Sequence, residues 1–166
     1  IVQAADLLAR AEHPLVVSGS GVDRANANAA VLSLVELLDC PVVTTMAGRG
    51  TIPRDHPSFI YGFGHGGDVV RKEADVIVVV GSRLGNLELP YDKYWGPSSR
   101  HRIIQIDVDP RHIAVTRPVA VGIVADARAT VEALVAELRA RGTKRDDRGD
   151  LARYREADAA WWTAQF

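Results

Sequence analysis

The chain is short of the residues that cross-link or metallate a small protein: one cysteine, one methionine and five histidines in 166 residues. Cys40 has no partner for an internal disulfide, and a single thiol cannot build a four-thiolate zinc site. His13, His56, His65, His101 and His112 do not stand at metal-ligand spacing with one another or with Cys40, which argues against a bound transition metal. Ser18, Ser20 and Ser82 lie near turns, but the Gly-x-Ser-x-Gly elbow of hydrolases is missing, and with it any nucleophile–base set. No apolar run is long enough to cross a bilayer. The opening Ile1-Val2-Gln3-Ala4-Ala5-Asp6 has neither the basic start nor the apolar core of a signal peptide, so a reducing, cytoplasmic setting is expected. Charge of one sign is lacking too: 20 basic residues face 21 acidic ones, with the arginines scattered among carboxylates, which disfavours nucleic acid as a partner.

What is present is a repeating strand and helix pattern. At 47% hydrophobic content the chain can build one packed core. Residues 2–12 read as a helix with Val2, Ala5, Leu7, Leu8 and Ala11 on one face, stopped by His13-Pro14. Leu15-Val16-Val17 is a short strand, and Gly19-Ser20-Gly21 turns it into a helix marked by Val31, Leu34, Val35 and Leu38. Further strands are expected at Pro41-Val42-Val43-Thr44, Phe59-Ile60-Tyr61, Val76-Ile77-Val78-Val79-Val80, Ile103-Ile104-Gln105-Ile106 and Val119 to Ile123. The run 76–80 has the uninterrupted apolar character of a strand buried on both faces of a parallel sheet. A closing helix, Ala127 to Ala140, turns Val131, Leu134, Val135 and Leu138 inward. The expectation is an α/β, doubly wound, Rossmann-like domain over residues 1–141, with about six parallel strands in the order 3-2-1-4-5-6. Residues 142–166 are expected to be a polar linker and a helical tail. Its Tyr154, Trp161, Trp162 and Phe166 carry too much aromatic surface for free solvent and point towards a missing domain. A chain that opens inside a helix without an initiator methionine is expected to be a piece of a longer one.

Ligands of such sheets sit outside the carboxyl ends of the strands, where the strand order reverses. That places Gly19-Ser20-Gly21 beside Gly81-Ser82-Arg83, glycines that admit backbone N–H groups to a phosphate and an arginine whose planar fork suits a pyrophosphate. The same glycines also serve plain tight turns. A nicotinamide dehydrogenase would have a small residue where Arg24 stands and an acid where Thr44-Thr45 end the second strand. The acid instead ends the fifth expected strand, at Asp107, suited to a ribose or adenine edge, with Asp109 alternatively capping the turn opened by Pro110. Two glycine-rich loops, Met46 to Pro57 and Gly62-Phe63-Gly64-His65-Gly66-Gly67, are expected over the same crevice.

In order along the chain, these landmarks resemble the central domain of thiamine diphosphate-dependent enzymes such as acetolactate synthase and oxalyl-CoA decarboxylase. The matching pieces are Ala4-Ala5-Asp6-Leu7-Leu8 to His13-Pro14, Gly19-Ser20-Gly21, Pro41 to Thr45 with Gly48-Arg49-Gly50, and Asp55-His56-Pro57. They continue with Ala74 to Arg83, Ile106-Asp107-Val108-Asp109-Pro110 and Val124-Ala125-Asp126-Ala127, so that residues 2 to about 140 are covered. The resemblance implies a parent enzyme that carboligates or decarboxylates 2-oxo acids or acyl-CoA substrates. Its thiamine diphosphate and Mg²⁺ are held by neighbouring N- and C-terminal domains, and the parent is implied to be a homo-oligomer. The Gly-Asp-Gly of the metal site is not in this chain, where Gly67-Asp68 runs into Val69 and Gly149-Asp150 into Leu151.

For the central domain the resemblance implies FAD, an ADP-containing nucleotide or an empty site. Carried over by position, the candidate residues are Gly19, Ser20, Gly21, Thr44, Thr45, His65, Gly81, Arg83, Asp107 and Asp126. After Arg83 the chain reads Leu84-Gly85-Asn86-Leu87 where acetolactate synthases have Phe-Asp-Asp-Arg, and it is here closer to the acyl-CoA lyase and decarboxylase branch, as is Thr116-Arg117-Pro118-Val119. Two other readings stay open: a purely structural domain, and an autonomous nucleotide-binding protein such as an NAD-dependent deacylase, whose usual zinc needs four cysteines.

Overall fold

In the computed structural model, residues 1–85, 92–143 and 150–165 are described. Asn86 and Leu87, residues 144–149 of the expected linker, and Phe166 lie outside them. In chain order the elements are α1 (Val2–Arg10), β1 (Pro14–Ser18), α2 (Ser20–Arg24), α3 (Asn28–Leu38), β2 (Val42–Thr44) and α4 (His65–Glu73). They continue with β3 (Val76–Val80), α5 (Asp92–Trp95), β4 (Arg102–Asp107), β5 (Val121–Val124), α6 (Ala127–Ala140) and α7 (Asp150–Gln165).

Five parallel strands form one sheet in the order β2-β1-β3-β4-β5. The α/β, Rossmann-like class expected from the sequence holds, but the strand count is five and not six. Phe59-Ile60-Tyr61 supplies a single parallel bridge, Val42 to Phe59, on the outer side of β2. Only two backbone bonds form there, Val42 N–H to Ser58 O at 2.9 Å and Ile60 N–H to Val42 O at 3.0 Å. Pro57 before this stretch and Gly62 and Gly64 after it turn the chain away before a strand can extend.

The two faces of the sheet bury different material. On one side α1, α3 and α6 lay an aliphatic layer on the strands, and Val31, Leu34, Val35, Leu38, Val131, Leu134 and Leu138 all point into it. On α1, Ala5, Leu8 and Ala11 of the expected face are buried, with Ala4 beside them, while Leu7 is half-buried and Val2 exposed. On the other side α4 and α5 cover Leu15, Val17, Ile77, Val79 and Ile103, and Trp95 joins that cluster.

Helix α7 returns onto α4. Tyr154, 2% exposed, donates to Glu73 Oε2 at 2.9 Å, Arg153 donates to Glu73 Oε1 at 2.9 Å, and Asp158 Oδ1 accepts from Gly66 N–H at 3.0 Å. Trp161 packs edge-on to Trp162 with centroids 4.9 Å apart, and Trp162 lies 6.4 Å from Tyr61. Both tryptophans stay about 40% exposed, at 36% and 40%.

The Arg153 guanidinium holds the Glu73 carboxyl below the usual glutamate range. Partial burial opposes this, and the Tyr154 hydroxyl adds to the lowering. A carboxyl with a depressed value in the docked state stabilises that state above the ordinary value of about 4.3 and loses the contribution as pH falls through the depressed one. Acidification from neutral to about pH 3 is therefore expected to loosen α7 from α4. The emission of Trp161 and Trp162 reads this, and Glu73→Gln should flatten the transition.

Candidate functional site

In a parallel sheet every strand ends on the same side, and a crevice opens where successive connections leave to opposite faces. From β1 the chain crosses to β2 through α3 on the aliphatic face, and from β3 it crosses to β4 through α5 on the other face. The reversal therefore lies between β1 and β3, as expected for Gly19-Ser20-Gly21 and Gly81-Ser82-Arg83.

These two turns touch. Gly19 N–H donates to Val80 O at 2.9 Å, and Gly21 N–H donates to Gly81 O at 3.0 Å. A Cβ on Gly19 would stand 2.3 Å from the Gly81 carbonyl oxygen, and one on Gly21 would stand 2.6 Å from Gly81 Cα. The next loop closes in as well, since a Cβ on Gly48 would lie 2.4 Å from Ser18 O. Gly81 also has φ +62°, a conformation that costs other residues about 1–2 kcal/mol. Backbone fills the space between the turns, so a ligand reaches this point only from outside.

The other candidates, apart from His65, continue as a row along the strand ends. Thr44 ends β2 and Thr45 follows it, both buried, and Thr45 Oγ1 accepts from Gly48 N–H at 3.0 Å. Ser20 is half-buried at the start of α2. Arg83, just past β3, is exposed and makes no ion pair among the described residues. Asp107 ends β4, where its Oδ1 accepts from Asp109 N–H at 3.0 Å and lies 3.1 Å from His112 Nδ1. Asp126 follows β5 as the N-cap of α6, accepting from Ala129 N–H at 2.9 Å. Asp109 caps the turn opened by Pro110, and Arg111 holds its carboxyl well below the usual range by side-chain and backbone hydrogen bonds.

His65 stands apart as the exposed first residue of α4. The glycines around it admit the chain's own groups: a Cβ on Gly64 would meet Asp158 Oδ1 at 2.6 Å, and one on Gly67 would meet Tyr61 O at 2.5 Å. The last residues of that expected loop are already the first turn of α4.

A cleft of about 300 Å³ opens at the ends of β1 and β2, where Thr44, Thr45, Phe63, Asp68, Arg71 and Trp95 line it. Arg71 is 7% exposed, donates to Gly62 O, pairs with Asp68 and sets its guanidinium 5.6 Å from the Trp95 ring centroid. Burial pulls this guanidinium below the ordinary arginine value, and Asp68 pulls it back up. The Arg117 guanidinium lies 5.8 Å from the same ring. Sequence reading passed over Arg71, Trp95, Asp158 and Gln105. Only Gln105 left a signal, as the polar interruption of Ile103-Ile104-Gln105-Ile106.

The family model "Thiamine pyrophosphate enzyme, central domain" matches residues 1–134. Among similar proteins, a sulfoacetaldehyde acetyltransferase of Rhodobacter capsulatus is 34% identical over 166 residues, covering 96% of this chain and 28% of the relative. A probable acetolactate synthase large subunit of Methanocaldococcus jannaschii is 34% identical over 142 residues, 83% of this chain and 24% of the relative. An oxalyl-CoA decarboxylase of Escherichia coli is 29% identical over 139 residues, 84% of this chain and 24% of the relative. The chain thus spans about a quarter of the length of the relatives it matches.

Glycines 81 and 50 both have positive φ, but a Cβ at Gly50 would meet nothing within 4 Å. Gly50→Ala is expected to cost about 1 kcal/mol, and Gly81→Ala at least about 2 kcal/mol more because backbone must move. Urea unfolding of the two variants measures the difference, and equal losses would remove the argument from close packing.

Proposed function

The chain belongs to the thiamine pyrophosphate enzyme central-domain family, and from that premise we propose that it serves a longer enzyme in which neighbouring domains hold thiamine diphosphate and Mg²⁺ while its own strand ends take up a nucleotide-bearing ligand. Thiamine diphosphate supplies carbanion chemistry beside a carbonyl. The names of the relatives span an acetyltransferase, a synthase and a decarboxylase, which have in common the making or breaking of a bond at such a carbon. In this reading the substrates of the parent are 2-oxo acids or acyl-CoA compounds, and the parent is a homo-oligomer. Among the described residues no three His, Cys, Asp or Glu side chains group as metal ligands, so no step is assigned to Mg²⁺ within this chain.

The observation that carries the nucleotide reading is the row Arg83, Asp107, Asp126 on the ends of three neighbouring strands. An exposed guanidinium without an ion pair among the described residues suits a diphosphate, and the carboxylates beyond it suit ribose hydroxyls or a base edge. Because the glycine turns are closed against each other, the diphosphate would lie along the outer side of Gly19, Ser20 and Gly81. The cleft beside Thr44 and Thr45 sits at the far end of the same row, roughly four strand spacings or about 19 Å from β5. FAD spans such a row and ends in the cleft, where Phe63 offers an exposed ring, whereas ADP occupies only the part near Arg83 and Asp107.

Calorimetric titration of the chain with ADP and with FAD tests the reading. Binding is expected, with FAD tighter than ADP, and Arg83→Ala should weaken both by about 10- to 100-fold, the worth of a hydrogen bond to a charged group. An absence of heat with either nucleotide would favour a scaffold, a role to which the mutual packing of Gly19, Gly21 and Gly81 already lends itself.

A further inference from the structure

Gln105 sits in the middle of β4, 1% exposed, between the aliphatic residues Ile104 and Ile106. A primary amide buried in such a place costs stability unless its polar atoms are bonded. Its Nε2 donates to Ser82 O and to His112 O, both at 2.9 Å, and its Oε1 accepts from Ala114 N–H at 2.9 Å. One side chain therefore ties the turn after β3 to the segment after β4. A second tie joins the same two segments, as Thr116 Oγ1 donates to Leu84 O at 2.6 Å.

The residues held in this way are strained. Leu84 has φ +49° and Ala114 φ +58°, left-handed conformations that cost a non-glycine residue about 1–2 kcal/mol each. Gln105 bonds the amide of Ala114, while Thr116 bonds the carbonyl of Leu84 and Ser82 Oγ accepts from its N–H at 3.1 Å. From the other side, Gly122, the register partner of Gln105 on β5, makes room for Ile113: a Cβ there would stand 2.8 Å from Ile113 Cγ2. An apolar residue at position 105 would suit the strand better, and a relaxed loop would suit residues 110–116 better. Both preferences are overridden where two strand-end segments face each other.

We infer that Gln105 and Thr116 are positioning residues that fix the separation between the segment carrying Arg83 and the segment carrying Asp107 and His112, so that the arginine and the acid meet one ligand. The inference rests on the nucleotide reading above. Gln105 is buried and Thr116 half-buried, and each acts through the residues it holds.

The test is a set of thermodynamic cycles in the intact chain, with ADP as the calorimetric probe and the melting temperature of every variant recorded alongside. Thr116→Val should weaken ADP binding about 3- to 10-fold, the range of one neutral hydrogen bond, and Thr116→Ser should restore it. In an Arg83→Ala background Thr116→Val should cost less than about twofold, because the arginine whose place it fixes is gone. Gln105→Met should show the same dependence on Arg83. The isosteric Thr116 variant keeps the test open should the buried substitution prevent folding. Losses that add independently of Arg83, or unchanged binding in both variants, overturn the positioning role while leaving the nucleotide site standing. A wild-type chain that takes up no ADP overturns the nucleotide reading itself, and the positioning role with it.

Discussion

The arrangement of this protein depends on backbone meeting backbone at the point where the sheet changes direction. Between β1 and β3 the register pairs Ser18 with Val80, and the next residues of each strand, Gly19 and Gly81, lie in direct contact. The loop after β2 is drawn to the same point by Gly48, which rests on Ser18 O, and by the buried Ser18 Oγ and Thr51 Oγ1, 2.7 Å apart. Thr51 Oγ1 in turn donates to Gly48 O at 2.7 Å. Three loops are thus locked together by backbone contact at the glycines and by the hydroxyls of Ser18 and Thr51. Because a close-packed interior does not give way by fractions of an ångström, this part of the rim is rigid.

The two faces of the sheet follow different rules. On the side of α1, α3 and α6 the layer is aliphatic, and the Asp6–Arg141 ion pair adds a polar tie between α1 and the end of α6. On the side of α4 and α5 the layer includes a buried arginine, a tryptophan with two guanidiniums within 6 Å of its ring, and His101 edge-on to that ring at 6.3 Å. Charges taken out of water must be compensated, and Arg71 is compensated by Asp68, by the carbonyl of Gly62 and by the ring of Trp95. The cleft opens on this polar face, and α7 packs beside it.

Local pattern made much of this legible in the sequence. The spacing of Val31, Leu34, Val35 and Leu38, and the run Val76 to Val80, required only the helical and strand periods to be read. The ordered series of turns and acids also carried the family. What stayed hidden depends on partners distant in sequence: Asp158 reaches Gly66 across 92 residues, and the crowding of Gly19 depends on Gly81. The glycine loop before α4 resembled a ligand approach because glycine marks any close approach, and the approaching group proved to be the chain's own carboxylate. Phe59 has the β-forming character of a strand residue, yet Pro57 and Gly62 leave it room for one bridge only. Asp109 and Asp126 both accept cap bonds, and Pro110 already signalled the first of them.

The sheet also ends differently on its two sides. Beyond β2 the chain lays Phe59 against Val42, whereas β5 pairs with β4 alone among the described residues and leaves Val124 exposed. The amides and carbonyls on the open side of such an edge, next to valine, are a template for another strand, restrained here by the brevity of a four-residue β5. Through this edge the domain would therefore fail first as a colloid, by edge-to-edge association and loss of solubility.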